Sequence, residues 1–136
     1  MSMQTVIPML HVSSIEQSVD FYKEKLGFDL EFAMNGDGGK MLHASVSNGD
    51  VKLMIGYPDG EARPLGGGAE LYIMTDAVDA YHARVRDAGT ALSKEITDEW
   101  WGDRLFTVTD PDGYVLTFAQ TVREFDPSRI PTAATA

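Results

Sequence analysis

The chain has 136 residues, enough for one compact domain with a buried core. Acidic residues outnumber basic ones 21 to 11, a formal net charge of −10, and no basic stripe exists, which argues against charge-driven binding to nucleic acid or an anionic membrane. The absence of cysteine excludes disulfides, thiolate nucleophiles and Cys-ligated zinc together.

The start, Met1-Ser2-Met3-Gln4-Thr5, lacks the basic and apolar regions of a secretory signal, and no apolar run approaches transmembrane length, so a cytoplasmic protein is expected. Thr5 to Val12 alternates as a strand does. Ser13 with Glu16 three residues on reads as a capping box. Ile15, Val19, Tyr22 and Leu26 then recur on one helical face until Gly27 closes the helix. Leu30 to Met34 reads as a strand and Asn35-Gly36-Asp37-Gly38-Gly39 as a turn. Strands are predicted at 41–47 and 51–56, joined through Asn48-Gly49-Asp50. Residues 57–68 read as a linker. A strand at 69–74 and a helix at 77–88 follow, the helix turning Val78, Tyr81 and Val85 inward before Gly89. Strands at about 91–95, 103–109 and 114–119 complete the pattern, the last two joined by Asp110-Pro111-Asp112-Gly113. Residues 121–136 read as a C-terminal tail.

The two halves repeat one another. At a shift of 62 residues Ser13 falls on Thr75, Gly27 on Gly89, and Ser45-Val46-Ser47-Asn48 on Thr107-Val108-Thr109-Asp110. A period this long, present twice, describes a duplicated module rather than a solenoid. The expectation is one domain over residues 1–120, with modules at about 5–56 and 69–119.

Strand alternation assigns the faces. Leu10 and Val12, Leu42, Ala44 and Val46, Leu53 and Ile55, Leu71 and Ile73, and Leu116 and Phe118 form apolar faces expected to lie under the helices. The opposite faces are mixed, carrying Ile7, Met9 and His11, His43 and Ser45, Lys52 and Met54, Glu70 and Tyr72, Thr107, and Val115 and Thr117. Such faces can simply be wet. Joined into one curved sheet, they line a cup of the makeup usual for a small-molecule site.

Two βαβββ modules of this length resemble the vicinal oxygen chelate superfamily, which includes glyoxalases, extradiol dioxygenases and bleomycin-resistance proteins. Val12 to Tyr22, running on to Leu26-Gly27-Phe28, is similar to that family's first helix, and Asp110-Pro111-Asp112-Gly113-Tyr114 to its penultimate turn. His43-Ala44 ahead of Gly49-Asp50, and Trp101-Gly102-Asp103-Arg104 ahead of the turn, look most like the PhnB-like branch. The resemblance covers roughly residues 5 to 120. It implies an α+β fold, two tandem βαβββ modules forming a curved mixed sheet around a cup-shaped cavity, and a homodimer.

The resemblance also implies a divalent metal held from the first, fourth, fifth and eighth strands, at the positions of Ile7, Met54, Glu70 and Thr117 here. Ile7 cannot coordinate, Met54 offers a soft thioether, and Thr117 is a poor ligand. A catalytic zinc site needs three protein ligands, so no metal and no cofactor are expected. His11, His43 and Glu70 share the inferred inner face and leave an unfamiliar triad open.

The candidate ligand-binding residues are His43, Met54, Glu70, Tyr72, Trp100, Trp101, Arg104 and Thr117. Each has a plain alternative: His43 as a buried histidine with a backbone partner, Glu70 as a solvated strand end, Arg104 paired with Asp103 or a neighbouring subunit. Adjacent tryptophans on one strand or loop point opposite ways, so one of the pair packs and the other is free to cover the pocket. Gly66-Gly67-Gly68 lacks the Lys-Ser or Lys-Thr of a phosphate loop, and no Gly-x-Ser-x-Gly elbow is present. The leading expectation is a metal-independent protein that sequesters a cationic or aromatic small molecule, with Tyr72 and one tryptophan stacking on it and Glu70 opposing its charge. The alternatives are a metal-dependent lyase or dioxygenase with an atypical site, an enzyme using His43 or Glu70 as general base, and a filled fold kept for protein contacts. No catalytic residue is identified.

Overall fold

The structure is a computed structural model that describes residues 1–60 and 65–132; part of the expected linker, 61–64, and the last residues of the tail lie outside it. The elements are β1 (Met9–His11), α1 (Ile15–Asp20), β2 (Asp29–Asn35), β3 (Met41–Asn48), β4 (Val51–Gly56), β5 (Glu70–Met74), α2 (Val78–Asp87), β6 (Lys94–Asp98), β7 (Asp103–Thr109) and β8 (Val115–Thr121). The strands fall into two four-stranded mixed sheets, ordered β1-β4-β3-β2 and β5-β8-β7-β6. In each, the first strand runs parallel to the last of its module and the remaining pairs are antiparallel. The duplication read from the 62-residue shift is therefore a duplication of topology. Among the described residues no helix is long and apolar enough to cross a membrane.

Two compact units emerge: residues 1–69 with 110–114, and residues 70–109 with 115–136. In the first, α1 packs on β3 and β4. Its inward face carries Ile15, Val19, Tyr22 and Leu26, against Leu10, Val12, Ala44, Val46, Leu53 and Ile55, all buried. Each of the valines, leucines and isoleucines contributes roughly 1.5–3 kcal/mol by leaving water. Helix α1 continues in a wider π-helical turn over Phe21–Lys25, and Gly27 at φ 70° ends it. In the second unit Val78 and Val85 of α2 are buried, and the Tyr81 ring meets Phe118 edge-on at 4.9 Å and tilts against Phe106 at 5.9 Å.

Several local expectations change. The cap of α1 is Ser14, whose Oγ accepts the Gln17 N–H at 3.2 Å. Ser13 donates its own N–H to Asp112 Oδ1. Glu16 does not reach back to a cap; its Oε1 accepts the Met41 N–H at 2.8 Å, which holds its carboxyl below the usual range. Strand β1 is three residues rather than eight because Pro8 has no N–H for the ladder, although its carbonyl still accepts from Met54. Leu42, expected in the core, is 52% exposed, with its side chain against Gly36 near the register shift between Met34 and Asn35. β6 begins about three residues later than expected. It is an edge strand, mostly exposed, whose one-sided pairing leaves no clean alternation to read.

Loop 110–114 belongs to the first unit although the strands flanking it belong to the second. Asp110, 4% exposed, accepts the backbone N–H groups of Asp112 and Tyr114 through Oδ1 and the Tyr22 hydroxyl through Oδ2 at 2.8 Å. Burial pushes the Asp110 carboxyl and the Tyr22 hydroxyl up, against the opposing pull that the hydrogen bonds exert on the carboxyl. The Tyr114 hydroxyl donates to the His11 carbonyl and accepts the His11 N–H. Tyr22→Phe removes one donor from this buried carboxylate and should lower unfolding free energy in urea by about 1–3 kcal/mol. An unchanged midpoint would show that Asp110 is satisfied without it.

Candidate functional site

The strands of the second unit turn alternate side chains away from α2. On β5 these are Glu70 and Tyr72, on β7 Asp103, Leu105 and Thr107, and on β8 Thr117 and Thr121, placed side by side by the register Glu70–Val115, Tyr72–Thr117 and Thr107–Thr117. Of these, Glu70, Tyr72, Leu105, Thr107 and Thr117 line a cavity of about 420 Å³ together with Lys94 and Trp101. The lining mixes Tyr72, Trp101 and Leu105 with the charged Glu70 and Lys94 and the two threonines, a combination of apolar surface and convergent polar groups that suits a small-molecule site.

Two hydrogen-bonded chains hold the polar groups still. At one end the Thr117 hydroxyl donates to Glu70 Oε1 at 2.6 Å. Its hydrogen being spent there, Thr107 Oγ1, 3.0 Å away, is the donor to Thr117 Oγ1. Glu70 is thus a carboxylate aimed by a buried threonine pair, with Oε2 left for another donor. At the other end Asp103, 8% exposed, accepts the Tyr72 hydroxyl at 2.6 Å and the Thr121 hydroxyl at 2.7 Å. The Trp101 indole N–H donates to the Tyr72 oxygen at 3.1 Å. The Trp101 ring is therefore oriented by a phenol that is itself oriented by a buried carboxylate. Lys94, which also lines the cavity, is held through its Nζ by Glu99 Oε1.

Of the residues singled out in sequence, Glu70, Tyr72, Trp101 and Thr117 come together around this cavity. Trp100 does not line it; its ring stands edge-on to Trp101 at 5.3 Å and beside Phe125 at 6.2 Å. Arg104 is on the opposite face of β7, a correction to its expected place: it forms a two-pronged pair with Asp98 at 2.6 and 3.1 Å and reaches Asp79 of α2 at 3.0 Å. Those pairs, Asp98 first, raise its already high pKa. Its expected partner Asp103 is committed to Tyr72 and Thr121. Leu105, Lys94, Asp103 and Thr121 were missed. Parity with Thr107 along β7 was the available signal for Asp103 and Leu105, and it also places Arg104 on the other side.

His43 and Met54 belong to the first unit. There Met9, Met54, Ser45 and Phe32 line up across the sheet, as do His11, Gly56, His43 and Met34. His43 is half-buried beside Phe32, with ring centroids 6.4 Å apart. A methyl group at Gly56 would stand 3.6 Å from Met9 Sδ and 3.7 Å from His43 Nδ1.

The donor set does not fit the divalent metal of the resembled enzymes. Thr117 spends its hydroxyl on Glu70, Ile7 has no donor atom, and among the described residues no three His, Cys, Asp or Glu side chains converge as a metal-binding group.

Comparison with known proteins agrees with this architecture. Residues 5–118 match the Glyoxalase/Bleomycin resistance protein/Dioxygenase superfamily. The chain is 30% identical to an uncharacterized Mycobacterium bovis protein, covering 93% of this chain and 89% of that one. It is 27% identical to the bleomycin resistance protein of Geobacillus stearothermophilus, over 86% of this chain and 96% of the relative. Among solved structures, TnmS3, an antibiotic binding protein from Streptomyces sp. CB03234, superposes with a TM-score of 0.71 at 31% identity, covering 89% of this chain and 98% of that one.

Desolvation and the hydrogen bond to Asp103 push the Tyr72 hydroxyl up to about 12. A raised acid favours the fold while protonated, so this contribution is intact at pH 10 and below and fades as pH rises toward 12. Tyr72→Phe should flatten that alkaline limb of stability, followed by thermal melts between pH 9 and 12; a limb identical to the parent protein's would refute the assignment.

Proposed function

Since the chain belongs to the glyoxalase/bleomycin resistance protein/dioxygenase superfamily, we propose that it binds a small molecule without a metal and sequesters it, the ligand being aromatic with a cationic group. The observation that carries this reading is the pairing, in one cavity, of an oriented carboxylate at Glu70 with an oriented indole at Trp101. A flat ring against Trp101 gains dispersion and, if cationic, attraction to the ring face. A protonated amine or guanidine reaching Glu70 forms a charge-assisted hydrogen bond at the oxygen Thr117 leaves open. The net charge of −10 attracts such ligands at long range.

Relatives described as bleomycin resistance and antibiotic-binding proteins support the ligand class. Protection by binding needs no nucleophile and no metal, which suits a cavity whose polar groups are already bonded to one another. The homodimer expected from the family is part of the same proposal. The exposed Met9, Phe32 and Met34 on the first unit's sheet are side chains of the sort a partner covers. Sedimentation at micromolar concentration checks it, a monomer counting against.

Titration of tryptophan emission with bleomycin and a panel of cationic aromatic antibiotics should give saturable changes that chelator does not alter. Trp101→Ala should weaken binding of the best ligand about tenfold. Glu70→Gln keeps the Thr117 bond and should weaken cationic ligands more than their neutral analogues. Silence across the panel, or binding lost on adding chelator, would overturn the reading.

A further inference from the structure

The segment after β8 is fastened to the loop that carries the two tryptophans. The Gly102 carbonyl accepts the N–H groups of Val122 at 2.9 Å and Arg123 at 3.2 Å. Arg123 then turns its side chain back, and Nη2 donates to the carbonyl of Glu99 at 2.9 Å and of Trp100 at 3.3 Å. Phe125 lies beside the Trp100 ring. Gly102 has φ 105°, and a Cβ there would stand 2.4 Å from the Arg123 carbonyl oxygen. Both the conformation and the close approach of two backbones require glycine at that position.

The consequence for the cavity is geometric. A peptide unit is planar, so holding the Trp100 carbonyl holds the N–H of Trp101 and the direction in which its Cα leaves the plane. The Glu99 carbonyl is fixed twice, by Arg123 and by the Gly102 N–H at 3.1 Å. On the far side of the loop the Trp101 indole is bonded to Tyr72. Trp101 is thus gripped from both ends, its backbone by the C-terminal segment and its ring by the pocket floor. Arg123 Nε is buried without a partner, a cost the fold bears to keep the guanidinium in this position.

We propose that Arg123 is a positioning residue for the pocket: through the Glu99 and Trp100 carbonyls it sets the Trp101 ring at the cavity wall. This rests on reading the cavity as a ligand site, yet its first readout needs no ligand. In a Trp100→Phe background Trp101 is the sole indole. Arg123→Met keeps the aliphatic stem and removes the donors. Ligand-free Trp101 should then emit further to the red and be quenched more by acrylamide, at a melting temperature close to that of the background protein. The antibiotic that binds best should bind about tenfold more weakly. Arg123→Lys, which keeps one donor on a flexible stem, should recover part of both effects, and in Trp101→Ala the Arg123 substitution should add little. Unchanged acrylamide quenching in Arg123→Met overturns the inference, as does altered quenching with full affinity for a ligand that binds the parent. Should Arg123→Met not fold, Arg123→Gln carries the same measurements. If no antibiotic binds the parent protein, the pocket reading fails while quenching still decides whether Arg123 holds Trp101.

Discussion

One helix can cover only one face of a sheet, and among the described residues each unit sets one α-helix against four strands. Strand side chains alternate between faces, so the covered face becomes core and the other is left for another use. In the first unit Ala44, Val46, Leu53 and Ile55 go under α1, and Met9, Phe32, His43 and Met54 are turned the other way. In the second, Phe106, Val108, Leu116 and Phe118 go under α2, and Glu70, Tyr72, Thr107 and Thr117 are turned the other way. The candidate site is a consequence of this division: its residues occupy the positions the core did not take.

A face left open is not yet a binding site. What distinguishes the second unit's cavity is that its polar groups are immobilised by one another. Asp103 is buried between two hydroxyl donors and pays for that burial by accepting from both. Through Tyr72 its orientation reaches the Trp101 indole. Glu70, more exposed, accepts one hydroxyl, that of Thr117, which Thr107 holds in turn. Side chains already held in place lose little further entropy when a ligand arrives, which favours affinity from a small contact area.

Much of this was legible. The periodicity of Ile15, Val19, Tyr22 and Leu26 located the first helix and its buried face, and the strand bounds of 51–56 and 103–109 were found to the residue. Glu70, Tyr72, Thr107 and Thr117 were assigned to a common side by parity alone. Less could be read where local pattern was weak. β6 lies at a sheet edge with no buried alternation, so its start shifted. Ser13 and Ser14 are equivalent as caps in sequence, and only the backbone path, with Ser13 bonded to Asp112, chose between them. Pairing of Arg104 with Asp103 was one of the alternatives open in sequence, but neighbours on a strand point apart, and the two side chains take different partners.

The sequence by itself determined the element order, the duplication, the core faces of β4 and β8 and of β3 beyond Leu42, and the family, because these depend on spacing along the chain. Tertiary structure decided which tryptophan borders the cavity, what each carboxylate is bonded to, and that the segment after β8 grips the Trp100-Trp101 loop. Those outcomes depend on hydrogen bonds between residues as far apart as Tyr72 and Asp103, or Glu70 and Thr117. No local pattern encodes such partners; they are chosen only when register brings distant strands side by side.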